Sequence, residues 1–348
     1  MSFIVGYKIT EDPRFISYIC DHKDKISEVY FSWRSMKNGR NDQLKSEDLN
    51  PLWAEKMQEE DLKKLSSEGI SLNLLLNGNC YGAESQSRSF FTELGNTIDY
   101  LTGCYSITSV TSSSLLIAKF IKENFPDLSV RASVNIGVGT PEAADYLKEY
   151  FDGFYLKREF NRNLDAIKKM RSYCDDAGKK LYMLANSGCF SDCPARTYHD
   201  NLVSHEKEIS AMDNAYNFEG LCHEYLKDEK NFLTLIKDSN YVRPEDIHLY
   251  DGLFDGIKLA TRQNPFPVRI MHAYLTGRYY GSVTHLTEPD HTASLKGKIL
   301  DNSAFPDDFG KMVASCNKNC SECGYCENVL NKVLTERNPD ILTVESQD

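Results

Sequence analysis

The chain has 348 residues, 41% of them hydrophobic, with 40 lysines and arginines against 51 aspartates and glutamates, a formal net charge of −11. That length suits one large domain or two average ones, each able to bury a substantial core. The negative charge disfavours a broad, sequence-independent grip on nucleic acid or on an anionic membrane.

No apolar stretch approaches the ~20 residues of a membrane span. The opening MSFIVGYKIT lacks the basic region and small-residue cleavage site of a signal peptide. The expected setting is the cytoplasm, with no membrane partner and no extended nucleic-acid interface.

Eight short β-rich runs follow one another: FIVGYKI (3–9), EVYFSW (28–33), SLNLLLN (71–77), SITSVTS (106–112), SVRASVN (129–135), GFYLKR (153–158), KLYMLAN (180–186) and GIKLAT (256–261). Helix signals lie between them. In TPEAADYLKEY (140–150), Thr140 suits an N-cap, Pro141 the first helical position and Glu142 the positive end of the helix dipole. RNLDAIKKMRSYCDDAGKK (162–180) places Leu164, Ile167, Met170 and Cys174 at helical spacing, with Gly178 to stop it. Strand and helix alternating eight times is the pattern of an α/β fold closed as a (β/α)8 TIM-type barrel. An open doubly wound sheet is the alternative.

Two gaps, 34–70 and 187–255, exceed what one crossover helix needs. Loops after strands build the active face of a barrel, so the second gap is the expected place of a site. RPED (243–246) reads as a helix start with a structural role. After the eighth run, VRIMHAYLTGRYYG (268–281) is a helical segment, followed by loop-rich sequence containing TEPDH and NSAFPDD. The expected division is a barrel over 1–280 with an insertion at 187–255, and a C-terminal extension over 281–348. The tail ESQD is expected to fray.

Eleven cysteines in a reducing compartment point to metal or redox chemistry, since disulfides are disfavoured there. CNKNCSECGYC sets Cys316, Cys320, Cys323 and Cys326 as C-x3-C-x2-C-x2-C, able to wrap one tetrahedral ion or one cubane cluster. Spacing leaves zinc and iron-sulfur open. The first three of these cysteines also have the spacing of radical-SAM enzymes, but they follow the eighth strand, where that family's motif follows the first.

A second group opens in ANSGCFSDCPARTYHDNLVSHE (185–206) with Cys189 and Cys193, and Cys222 lies in the same gap. Three thiolates hold three irons of a cubane and leave the fourth for another ligand. Cys80, after the third strand run, is the candidate to complete the set. Cys20, Cys104 and Cys174 read as packing residues. A thiol nucleophile at Cys189 or Cys193, activated by a nearby histidine, is the competing reading.

Pro194 suits the start of a helix on which Arg196, His199 and Asp200 share one face, as do Asn201, His205 and Glu206 at neighbouring turns. There Arg196 and His199 are candidates to bind an anionic substrate or move a proton. Lys157, Arg158, Glu159 and Arg162 at the sixth strand's end, and Lys258 and Arg262 at the eighth's, are candidates for the same mouth. Asn77, Arg131 and Asn135 are weaker ones. The phase of alternation, and so which of them point inward, stays open.

The sequence resembles a divergent branch of the collagenase-like peptidase U-32 family. The likeness rests on VRASVN, on LANSGC followed by CP-x-R-x-x-H-D-N, and on FDGIKLATR after VRPED. It implies a barrel carrying a 4Fe-4S cluster at Cys189, Cys193 and Cys222 with a fourth ligand undetermined, and oxygen-independent hydroxylation of RNA bases or quinone precursors. Better-known members space their cysteines differently, and the C-terminal quartet is additional. The expectation is therefore an iron-sulfur oxidoreductase with one or two clusters, the second site being iron-sulfur or zinc. It modifies a small molecule, peptide or nucleotide with help from an electron donor, using Arg196, His199, Asp200, His205, Arg158 and Glu159. The alternatives are a peptidase, although no H-E-x-x-H or G-x-S-x-G signature appears, and a zinc-stabilised binding protein without enzymatic activity.

Overall fold

A computed structural model describes residues 1–10, 12, 14–33, 36–37 and 51–336. Most of the segment 34–50 and the ESQD tail lie outside the described residues. Eight parallel strands close a barrel in chain order: β1 (Phe3–Gly6), β2 (Ile26–Phe31), β3 (Ser71–Leu76), β4 (Ser109–Ser112), β5 (Ser129–Ala132), β6 (Gly153–Tyr155), β7 (Lys180–Leu184) and β8 (Gly256–Leu259). Each falls within or against one of the predicted runs. Closure is by β1 on β8, with Ile4 opposite Lys258.

Helices α1 (Arg14–Asp21), α2 (Pro51–Ser67), α3 (Arg88–Tyr105), α4 (Leu115–Asn124), α5 (Pro141–Leu147) and α6 (Leu164–Asp176) make the first six crossovers. Thr140 caps α5 by accepting from the Ala143 N–H, and Asn163 caps α6 through Ala166. Gly178, at φ 64°, turns the chain out of α6. On α3 the buried stripe is Leu94, Ile98, Leu101 and Tyr105. Cys104 falls off that stripe and is exposed, which corrects its reading as a packing residue. Cys174 is buried and Cys20 half-buried.

The outward side chains of the strands, such as Leu72, Leu74, Val110, Phe154, Met183 and Leu259, pack against the helices in the principal core. Inside the barrel lie Ile4, Tyr30, Leu75, Tyr155 and Tyr182, together with polar groups that satisfy one another. Arg131 donates from both terminal nitrogens to the Glu28 carboxylate at 2.7 Å each, and its guanidinium lies 4.4 Å from the Tyr182 ring centroid. Asn73 donates to Ser109 and accepts from Thr111. The inward phase includes Lys258, whose Nζ lies 3.8 Å from the Tyr30 ring centroid.

The β7-to-β8 connection carries four short helices: α7 (Arg196–Val203), α8 (Glu206–Ser210), α9 (Leu221–Tyr225) and α10 (Thr234–Lys237). The helix expected from Pro194 is thus broken before Glu206. At the break, Ser204 Oγ donates to the Asp200 carbonyl and accepts from the Asn79 N–H at 2.8 Å, so a tertiary contact decides where α7 ends. RPED opens a 3-10 turn, Pro244–Tyr250, rather than an α-helix, and locks it with a buried Arg243–Asp246 ion pair at 2.7 Å. Beyond β8 come α11 (Pro267–Thr276), α12 (Phe309–Ala314) and α13 (Tyr325–Val333).

Residues of the insertion (Phe190, Leu226, Phe232, Leu235, Ile236, Tyr241) share a second apolar core with Val283, Leu300, Phe305, Phe309, Val329 and Val333 of the extension. Two antiparallel strands, β9 (Lys298–Leu300) and β10 (Leu334–Glu336), border it. Three residues each are too few to show a period in the sequence. Among the described residues, no helix is long and apolar enough to cross a membrane.

Candidate metal centre

The end of β7 is fixed by Asn186. Its amide donates to the carbonyls of Ala260 and Leu286 and accepts from the Ala260 N–H at 2.7 Å, tying the strand to β8 and to the turn at 283–286. Next, Gly188 donates its N–H to the Glu288 carbonyl, and Glu288 donates back to Asn186. A Cβ on Gly188 would lie 2.2 Å from the Pro289 carbonyl oxygen, so only glycine lets these two chain segments meet.

Cys189 follows at the rim of the barrel. Its sulfur accepts from Arg158 Nη1 at 3.5 Å, and Arg158 Nη2 donates to Asn135 at 2.7 Å. Burial works against the Arg158 charge, but the fields of Cys189 and Asp200 more than offset it, and its pKa is raised. Asp192, at φ 57°, turns the chain into Cys193. Arg196 on α7 pairs with Glu159 and donates to the Phe190 carbonyl, which clamps the cysteine loop to the end of β6. Gly220, at φ 110°, delivers the chain to Cys222 on α9. Burial raises the Cys222 thiol, and the negative fields of Cys189 and Cys193 raise it further, which puts both within electrostatic reach of it.

Two imidazoles lie beside Cys222. His291 is buried, its ring stacks on Phe190 at 4.9 Å, and its Nε2 lies 3.0 Å from the Gly188 carbonyl oxygen. Its Nδ1 is buried without a hydrogen-bond partner. Cys222, His223 and His291 each present a ligand atom within 4.8 Å of the others. Burial lowers the His291 pKa to about 4, which leaves the ring neutral. Thiolates with a neutral imidazole are a donor set for zinc or iron, not for magnesium or calcium.

Cys189 also lines a cavity at the C-terminal mouth of the barrel, together with Arg158, Ser187, Asp200, Lys258, Arg262 and Glu288 over a floor that includes Tyr30 and Leu75. Burial first, and then the field of Arg262, pull the Lys258 pKa down to about 7. A larger, shallower depression along Trp33, Arg88, Thr92 and Tyr100 is lined, among the described residues, by no cysteine or histidine.

The C-terminal cysteines gather separately. The Lys318 N–H donates to Cys316 Sγ at 3.3 Å from a residue at φ 62°. Burial raises the Cys326 thiol; Arg162 opposes this, and the fields of Cys316, Cys320 and Cys323 add to it. Cys316, Cys320 and Cys323 are exposed, and among the described residues the quartet does not bring three sulfurs within 4.8 Å of one another.

No family model matches the chain. Over 293 residues it is 27% identical to an uncharacterized protease of Methanocaldococcus jannaschii, a match that takes in 79% of this chain and 82% of that one. A solved U32 peptidase shares the fold with a TM-score of 0.53 at 16% identity, covering 74% of this chain and 92% of that one. The chain is thus similar in sequence to that protease and shares its barrel fold with that U32 peptidase.

In this chain the barrel mouth brings together Cys189, Arg158, Asp200, Lys258, Arg262, Asn77 and Asn135. Glu159 and Arg196 are joined to each other. His199 stands beside the approach to Cys222, edge-on to Phe218 at 5.5 Å and 3.6 Å from the Cβ position of Gly220. His205 is placed elsewhere, with Nδ1 3.0 Å from Lys37 Nζ. Cys80, half-buried, follows the Asn79–Ser204 bond and lies outside the group that Cys222, His223 and His291 form. Lys157 covers the Phe160 ring, and Arg162 holds the carbonyls of Tyr241 and Ile236. Sequence reasoning missed Asn186, Ser187, Glu288 and His291. For the last two the available signal was TEPDH, polar and titratable residues in a stretch read only as loop.

Proposed function

We propose that this chain is an iron-sulfur enzyme that carries out a redox modification, such as oxygen-independent hydroxylation, on a small molecule, peptide or nucleotide at the barrel mouth. The observation that carries the reading is the double placement of Cys189, which belongs to the thiol trio and to the cavity wall at once. A group held by the trio therefore borders the space where a substrate sits. When bound, a cluster there supplies one-electron chemistry at the cavity, with the centre at Cys316, Cys320, Cys323 and Cys326 as the port for an electron-transfer partner, which for a hydroxylation that takes its oxygen from water must accept the two electrons released. Arg158, Lys258 and Arg262 provide the cationic wall for an anionic or carbonyl-bearing substrate, and Asp200 and Glu288 the acidic one. Arg158 also donates to the Cys189 sulfur, which stabilises negative charge on it.

Anaerobic purification of the full chain tests the reading. The expected result is broad blue-violet absorbance with iron and acid-labile sulfide, both reduced in Cys189→Ser. A colourless protein containing only zinc refutes it.

A peptidase is the second reading, favoured by the names of the two relatives. In it Cys189 is the nucleophile. The hydrogen bond at its sulfur comes from a guanidinium, which has no proton-accepting atom and cannot serve as the general base. Peptide cleavage that is lost in Cys189→Ser, and that proceeds in iron-free protein, supports this reading over the first.

A further inference from the structure

Three sulfurs leave one coordination position to be filled, on a single tetrahedral ion or on a cubane alike. We propose that His291, through Nδ1, is the fourth ligand of the centre held by Cys189, Cys193 and Cys222, an inference that rests on the cluster reading given above. His291 is 1% exposed, and its Nδ1 has no hydrogen-bond partner. An orphaned nitrogen in so dry a place is rare in folded proteins, because water cannot reach it and desolvation is uncompensated. A metal bound at Cys222, whose sulfur lies within 4.8 Å of a His291 ring nitrogen, removes the anomaly.

The other ring nitrogen fixes which atom binds. Nε2 lies 3.0 Å from the Gly188 carbonyl oxygen, which can only accept, so the proton resides on Nε2 and the lone pair on Nδ1. Handing the second N–H to a backbone carbonyl is the usual arrangement of a ligating histidine. The carbonyl belongs to the residue before Cys189, so the loop that bears the first sulfur also orients the imidazole. Phe190, the residue after Cys189, stacks on the ring with an interplanar angle of 18° and fixes its plane. The mutual hydrogen bonds of Asn186, Gly188 and Glu288 hold the two segments in register.

Two other residues compete for the position. His223 adjoins Cys222, but it is only half-buried, and its Nδ1 lies 3.5 Å from Ser294 Oγ. Cys80 lies outside the group of ligand atoms that Cys222, His223 and His291 form among the described residues. The orphan at His291 is both drier than His223 and without a partner, and that difference selects it.

The test uses the full chain, prepared anaerobically with 15N-labelled or natural histidine and examined by pulsed EPR in the paramagnetic state of the cluster. The expected result is a strongly coupled nitrogen that changes with the label, persists in His223→Gln and disappears in His291→Cys while the iron content is kept. Replacing imidazole by thiolate also lowers the reduction potential of that cluster. The wild-type signal needs no variant, so a His291 substitution that fails to fold leaves the test intact. A cluster that is lost in Cys189→Ser yet shows no histidine nitrogen in the wild type overturns this inference alone. Iron that is absent, or unchanged in Cys189→Ser, overturns the cluster reading and the inference with it.

Discussion

Lys258→Met removes an ammonium from inside the barrel, and its effect can be worked out from the surroundings. Burial and the Arg262 field bring the lysine from 10.5 to about 7, against the opposing fields of Glu288 and Glu28. At about 1.4 kcal/mol per unit, that displacement costs the charged form on the order of 5 kcal/mol. The rings of Tyr30 and Tyr155, at 3.8 and 5.2 Å from Nζ, favour the charged form but do not reverse the shift. The cost, order of magnitude, applies in full below pH 7, where both folded and unfolded chains hold the proton.

Between the folded value near 7 and the unfolded value near 10.5, only the unfolded chain binds that proton, so stability rises with pH across the window. Methionine has similar length and no charge. Lys258→Met is therefore expected to be more stable than the wild type by on the order of 5 kcal/mol at pH 6, with the difference shrinking at about 1.4 kcal/mol per unit above pH 7. The assay is the thermal midpoint of both proteins from pH 6 to 9, where roughly 1.5 °C corresponds to 1 kcal/mol in a chain of this size. A midpoint difference that stays constant over that range refutes the reasoning. A lysine that destabilises the fold while facing the cavity is a group retained for function, so the same variant is expected to lose substrate turnover.

Glu28→Gln leaves the Arg131 guanidinium in the barrel interior without its carboxylate, and should cost about 3–5 kcal/mol in a urea titration, most of it recovered in Glu28→Gln with Arg131→Met. A loss under about 1 kcal/mol, the range of exposed pairs, would show the pair to be water-filled instead. Gly188→Ala drives a methyl against the Pro289 carbonyl at 2.2 Å and should separate His291 from Cys189, lowering iron content under anaerobic reconstitution while the far-UV circular dichroism stays unchanged. Full iron loading in that variant contradicts the stitched geometry. Cys320→Ser with Cys323→Ser should remove metal from the C-terminal quartet alone, read as a drop in metal per chain with the spectrum of the Cys189 centre retained. Equal loss from both centres would mean that they are not independent ligand sets.

The eight strand runs were legible because a parallel strand covered on both faces stays apolar or β-branched along its length. For the same reason the phase of each strand was not. In β2, ISEVYF, five of six residues are buried, so no polar-to-apolar contrast marks the inside, and Glu28 reads as a surface residue until Arg131 arrives from β5. α7 could be placed from Pro194, but its end depends on Asn79, which no local pattern contains. The cysteines were legible as ligand candidates by clustering in sequence. His291 was not, because the evidence for it consists of a carbonyl at Gly188, a ring at Phe190 and a sulfur at Cys222, all far away along the chain.

The same separation explains why an insertion and an extension looked like two pieces. Cys222 and Cys326 both pack against one apolar core, to which 187–255 and 281–336 contribute jointly. That core is built from helices and strands too short to hold together alone, with α9 and α10 of five and four residues and β9 and β10 of three each. Ligand bonds at its two ends would supply the cross-links that such short elements lack, since a metal bound only by the folded chain adds its binding free energy to folding. Loading either centre should then protect the backbone amides of the shared core from hydrogen exchange, while the barrel strands, already closed by their own ladder from β1 to β8, stay as they are.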